Sequence, residues 1–202
     1  MKRVLVFGAG RVARPCVQYL LKHEGIAVTV VDLSGENLER VAENHPWCTT
    51  VEADAGKESA SLVASVKPDL VMNLLPPAFM ATVARQCLEA GVHLVHPAYL
   101  DAETVAMDGQ ARAAGLTFLA ELGLDPGIDH MSAARTVRHI RQQGGKVESF
   151  SSVCGALPSA EANTNPWGYK LSWAPASLIG ASKRDARVML CNRVKGIHGN
   201  TS

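Results

Sequence analysis

Two short stretches of this chain combine residue types that can do chemistry. The first is Gly8-Ala9-Gly10-Arg11-Val12-Ala13, with Asp32 standing 22 positions after Gly10. This is G-x-G-x-x-A with a later acid, the spacing of a dinucleotide-binding turn. Gly8 allows the tight turn, Gly10 lets a pyrophosphate approach the main chain, and the small Ala13 lets the helix lie close to the strand. Arg11 and Val12 open that helix, whose N-terminal N–H groups attract phosphate. The second stretch is ELGLDPGIDH, residues 121–130, where Asp125, Asp129 and His130 surround a Pro126-Gly127 turn. A turn needs one Asp at most, so three ionisable groups there suggest contact with a ligand.

Asp32 bears on which dinucleotide fits. A carboxylate at the end of the second strand accepts hydrogen bonds from ribose hydroxyls and repels a 2′-phosphate. The following Leu33-Ser34-Gly35 supplies no arginine. The expectation is therefore NAD in preference to NADP. The competing reading is a plain βα turn with an incidental acid.

These residues must be positioned by regular elements. Residues 3–8, 27–32, 49–53, 69–75, 92–96 and 116–121 read as strands, several of them continuous apolar runs of the kind covered on both faces. Residues 12–24, 35–44, 59–66, 78–90 and 102–114 read as the helices between them. Six strands alternating with helices describe an α/β fold, a Rossmann doubly wound parallel sheet in the order 3-2-1-4-5-6. Asp54, after the third strand, is either beside the adenine or the N-cap of the next helix. Leu74, after the fourth, borders the cofactor unless Pro76-Pro77 is only a rigid helix entry. His93 and His96 lie on the fifth strand without a third metal ligand, and read as core or rim histidines, with His96 a candidate to line the cleft. Arg135, Arg138 and Arg141 recur on one helix and read as a solvated face.

After Gly127 the pattern changes. Residues 128–143 read as a long helix, 146–154 as an alternating strand, 155–170 as a long Pro/Asn/Gly-rich segment, and 194–197 as a further strand. The division is thus 1–127 for the dinucleotide domain and 128–202 for the start of a second α/β domain. Apolar residues of that second part, such as Val147 and Trp167, lack cover in so small a sheet. A homodimer through this region, or poor order within it, is expected.

Composition excludes other classes. A net charge of +1 gives no electrostatic reason for nucleic acid or an anionic membrane. No apolar run approaches the ~20 residues of a membrane span. The apolar start at residues 4–7 stops at Gly8, too soon for a signal peptide. Five scattered cysteines without C-x-x-C read as reduced thiols in a cytoplasm.

With CGALP at residues 154–158, NPWGYKLSW at 165–173 and GAGRVARP at 8–15, the ELGLDPGIDH stretch resembles the saccharopine dehydrogenase family, in its glutamate-forming branch. The resemblance covers nearly the whole chain. It implies NAD(P)-dependent oxidation of the CH–NH group of saccharopine to an imine, which water splits into glutamate and 2-aminoadipate 6-semialdehyde, in lysine metabolism. It implies that Gly8, Gly10, Arg11 and Val12 form the phosphate loop, with Gly127 and Trp173 near the cofactor. Ala98, Tyr99, Asp125 and Cys154 contact substrate, with Asp125 and Tyr99 at the reacting centre. The family continues far past residue 202, so this chain matches its N-terminal part. It departs from the family at Ala176, where an arginine is usual. That departure keeps lysine 6-dehydrogenase and carboxynorspermidine dehydrogenase as alternatives, beside a nucleotide-binding fragment without catalysis. From the residues themselves, Asp129 can cap the following helix, which leaves Asp125 either to meet a substrate amine or only to hold the turn.

Overall fold

The structure is a computed structural model, and it describes residues 1–155, 157–170, 180, 183 and 185–199. Two compact units are present, Met1–Phe150 and Ser151–Ser202. The first contains β1 (Lys2–Phe7), α1 (Ala13–Leu21), β2 (Ile26–Asp32), α2 (Gly35–Ala42), β3 (Cys48–Glu52), α3 (Ala55–Val66) and β4 (Leu70–Asn73). A single 3-10 turn, Pro77–Phe79, then leads into α4 (Met80–Ala90), β5 (His93–Val95), α5 (Ala102–Ala106), α6 (Asp108–Ala113), β6 (Phe118–Leu119) and α7 (Ile128–Gln142). The second unit holds β7 (Ala186–Leu190) and β8 (Arg193–Ile197).

The six strands of the first unit form one parallel sheet in the order β3-β2-β1-β4-β5-β6. This is the topology expected from the alternation of elements. The chain reverses direction across the sheet between β1 and β4, the place where such folds bind ligands.

The pleat of β1 explains why its sequence is apolar at every position from Val4 to Phe7. Leu5 and Phe7 face one core with Val31, Val71 and Leu94, covered by Leu62 and Val63 of α3 and by Val83, Ala84 and Cys87 of α4. Val4 and Val6 face the other core with Val28 and Val30, covered by Ala13 and Val17 of α1 and by Leu38 and Val41 of α2. Each fully buried Val, Leu or Phe among them stabilises the fold by about 1.5–3 kcal/mol. The central strands are thus held from both sides, and their carboxyl ends are fixed relative to one another.

Four local differences from the sequence pattern have physical causes. Asp54 caps α3, so that helix begins four residues before the apolar spacing suggests. The helix expected over 102–114 is two short ones, broken after the buried Met107 and before Asp108-Gly109, both poor in a helix interior. Residues 146–154 form no strand: alternation describes what a segment could bury, whereas a strand also needs a neighbour's ladder of N–H and C=O groups. The strand expected near 194–197 is β8, and its antiparallel partner β7 was not legible. Their two-residue turn uses Cys191 and Asn192 at φ 50 and 60, without the glycine that normally marks such a hairpin.

Among the described residues no helix is long and apolar enough to cross a membrane.

Candidate functional site

The loops after β1, β2, β4, β5 and β6 all leave the same edge of the sheet, because the strands are parallel. The phosphate loop follows β1. Gly8 has φ +96, and a Cβ there would lie 3.1 Å from the carbonyl oxygen of Leu74. Leu74 itself donates its N–H to the carbonyl of Phe7 at 2.8 Å. Leu74 therefore borders the loop through its main chain. Around Gly10 a Cβ would meet none of the described residues within 4 Å. Open space beside the second glycine is what a pyrophosphate lying against the main chain requires, so the loop fits a dinucleotide. Val12 is the N-cap position of α1, and no acid lies in the first turn to oppose an anion there.

Asp32 is held by main-chain hydrogen bonds on both of its oxygens. One carboxylate oxygen accepts the N–H of Ala9 at 2.7 Å and the other accepts the N–H of Ser34 at 2.9 Å. It braces the phosphate loop against the start of α2. A guanidinium nitrogen of Arg40 donates to the carbonyl of Ala9 at 3.0 Å, a contact that no sequence spacing revealed. Asp54 is a helix cap: it accepts the N–H of Gly56 at 3.0 Å and pairs with Lys57 at 3.0 Å.

The second group of residues surrounds the turn after β6. Gly123 N–H donates to the carbonyl of Pro126 at 2.9 Å, and Ile128 N–H donates to Gly123 at 3.0 Å. Gly127, at φ +151, faces the main chain of Gly123 directly. Asp129 is not the cap of α7, as the sequence suggests; the N-cap position is Gly127. Asp129 lies in the first turn and reaches back to the Gly127 N–H at 2.8 Å, because φ +151 turns that N–H toward it. Burial opposes its ionisation, but the Gly127 N–H and His130 together hold its carboxyl below the ordinary value. Asp125, Asp129 and His130 each place one ligand atom within 4.8 Å of the others, the only such trio among the described residues. The sequence expects no metal here, and spacing alone did not bring these atoms together.

Asp125 has a partner on a different strand's loop. The hydroxyl of Tyr99, after β5, donates to its carboxylate at 2.8 Å. The structure thus brings together the two residues expected at the reacting centre, which are 26 positions apart. Ala98 precedes Tyr99, and its carbonyl accepts the N–H of Glu121 at 3.1 Å. His96, next to this loop, is 3% exposed, and among the described residues its Nδ1 has no hydrogen-bond partner. Burial lowers its pKa, against the opposing pull of Asp101, the Ala98 carbonyl and Glu121. His93 lies outside the cleft and accepts the N–H of Thr117. Cys154 belongs to the second compact unit, and Trp173 and Ala176 lie outside the described residues. Glu121 and Arg40 are the groups that a reading of motifs passes over.

Comparison with known proteins matches residues 4–119 to the model of the saccharopine dehydrogenase NADP binding domain, and residues 123–202 to that of the saccharopine dehydrogenase C-terminal domain. The chain belongs to the saccharopine dehydrogenase family. A glutamate-forming, NADP(+) saccharopine dehydrogenase of Pyricularia oryzae is 34% identical over 98% of this chain and 44% of its own length. Mitochondrial alpha-aminoadipic semialdehyde synthase of Mus musculus is 34% identical over 100% of the chain and 22% of its own. The apo glutamate-forming saccharopine dehydrogenase structure from Saccharomyces cerevisiae superposes with a TM-score of 0.83 at 30% identity, covering 98% of this chain and 44% of that one. The chain therefore spans less than half the length of these family members.

The preference for NAD read from Asp32 is corrected by these matches. The matching model is an NADP binding domain, and the fungal relatives are named as NADP(+) enzymes. The physical reason lies in the geometry of Asp32. Each of its oxygens already accepts a main-chain N–H and keeps further acceptor capacity, so the carboxylate braces the phosphate loop, and its place at the end of β2 does not by itself select NAD over NADP.

Proposed function

We propose that the complete protein containing this chain is an NADP-dependent oxidoreductase of lysine metabolism. It oxidises the CH–NH group of saccharopine and, with water, yields glutamate and 2-aminoadipate 6-semialdehyde. Membership of the family supports the reaction class, and the hydrogen bond from Tyr99 to Asp125 at the carboxyl edge of the sheet carries the reading.

Bound NADP supplies the hydride acceptor. The residues of this chain supply position and proton handling. Gly8, Gly10, Arg11 and Val12 receive the pyrophosphate, with Leu74 and Gly127 bordering the nucleotide. Tyr99 and Asp125 face the substrate amine. A secondary amine can lose hydride from carbon only as its nitrogen becomes free of its extra proton, so an acceptor must stand beside it. A carboxylate hydrogen-bonded to a phenol provides one, and the Asp125 charge stabilises the iminium that develops. Cys154 is proposed to contact substrate, and two copies are proposed to pair as a homodimer. None of the residues of α7 is buried in this chain, which supports further contacts there in the complete protein.

The test is saccharopine-dependent reduction of NADP by the complete protein. Turnover is expected, and its absence in a protein that binds NADP would favour the reading as a nucleotide-binding module without catalysis.

Gly10→Ala tests the phosphate loop separately. Its Cβ meets none of the described residues within 4 Å, so stability should change by less than about 1 kcal/mol. NADP affinity measured by calorimetry should fall about tenfold or more, because the methyl stands where the pyrophosphate must approach. An unchanged affinity would remove this loop from the nucleotide site.

A further inference from the structure

Tyr99 is held from both sides by one residue. The carbonyl of Ala98, just before it, accepts the N–H of Glu121 at 3.1 Å. The N–H of Leu100, just after it, donates to the carboxylate of Glu121 at 3.3 Å. Glu121 does this from φ +60, a left-handed conformation that is uncommon and strained for a residue with a side chain. The next residue continues the clamp, since Leu122 N–H donates to the carbonyl of His96 at 3.2 Å. At the far end of the loop Asp101 caps α5, accepting the N–H of Thr104 at 2.9 Å. Glu121 is four residues from Asp125, on the same connection after β6. One strained residue therefore ties the loop of Tyr99 to the loop of Asp125.

We propose that Glu121 is the positioning residue for Tyr99: its main-chain N–H and its carboxylate bracket the tyrosine so that the hydroxyl meets Asp125. The role in turnover rests on the chemistry proposed above for Tyr99 and Asp125. Glu121 need not touch the substrate. Its carboxylate accepts one hydrogen bond from a main-chain N–H, a task that a neutral amide oxygen performs as well. The bracket fixes two consecutive peptide groups around the Tyr99 Cα. Releasing one of them lets the phenol swing, and a displacement of about 1 Å in a reacting group can cost a hundredfold in rate.

The experiment compares Glu121→Ala and Glu121→Gln in the complete protein, alone and combined with Tyr99→Phe. Glu121→Asn is the second truncation, because asparagine tolerates positive φ and its arm is shorter. Protein labelled with ring-13C tyrosine is used, with the Tyr99 resonance assigned by its loss in Tyr99→Phe. The Tyr99 resonance should move in Glu121→Ala and in Glu121→Asn, and return in Glu121→Gln. With saccharopine, kcat should fall about tenfold to a hundredfold in the truncations while NADP affinity stays within about twofold. Glutamine should rescue kcat. Adding Glu121→Ala to Tyr99→Phe should cost little more than Tyr99→Phe alone, the sign of a residue acting through another. A Tyr99 resonance that stays put in both truncations overturns the bracket. Additive losses, or a glutamine variant as slow as alanine, overturn the positioning role. A resonance that moves as expected in a protein that does not turn over saccharopine upholds the bracket and instead refutes the proposed reaction.

Discussion

Gly127→Ala is expected to destabilise the protein by about 3–5 kcal/mol, from the combined cost of a forbidden backbone angle and an overlap that cannot relax. Gly127 sits at φ +151, and an added Cβ would lie 2.1 Å from the carbonyl oxygen and 2.6 Å from the nitrogen of Gly123. Those are main-chain atoms, so no side chain can swing aside. The turn must open instead, which breaks the bonds from Gly123 to Pro126 and from Ile128 to Gly123. It also separates Asp129 from the Gly127 N–H. Chemical denaturation followed by circular dichroism measures the loss. Gly91→Ala is the control: it has φ +68 at the end of α4 with nothing within 4 Å of the added Cβ, and should cost about 1–2 kcal/mol. A Gly127→Ala midpoint close to that control would show that the turn is not packed as described.

Asp125→Asn should lower kcat with saccharopine about a hundredfold or more, the range of losing a proton acceptor and a fixed charge at a reacting amine. The amide oxygen can still accept from the Tyr99 hydroxyl, so the 2.8 Å contact need not be lost and the change isolates the charge. Asp125 is exposed, and stability should change by no more than about 1 kcal/mol. NADP affinity should be nearly unaffected, which separates this variant from Gly10→Ala. Steady-state kinetics and calorimetry on the complete protein decide the matter. If kcat stays within about threefold of the parent, Asp125 holds the turn and does no chemistry.

By itself the sequence determined the sheet and its order. Continuous apolar runs at β1, β2 and β4 need cover on both faces, and alternating helices with right-handed crossovers leave one common topology. It also determined the phosphate loop, because Gly8 and Gly10 do their work through local backbone geometry and the absence of a side chain. Contacts between distant positions were decided only by the tertiary structure. The place of Asp32 at the end of β2 was legible, whereas the hydrogen bonds of its two oxygens with Ala9 and Ser34 were not. The pattern of 146–154 looked like a strand, yet alternation describes only what a segment could bury, and pairing depends on a neighbour. Tyr99 and Asp125 were each marked by motif, but their hydrogen bond exists because parallel β5 and β6 release their loops at one edge. Glu121 was quoted in the motif and passed over, since its positive φ is imposed on it by the loops it joins and no residue type announces it.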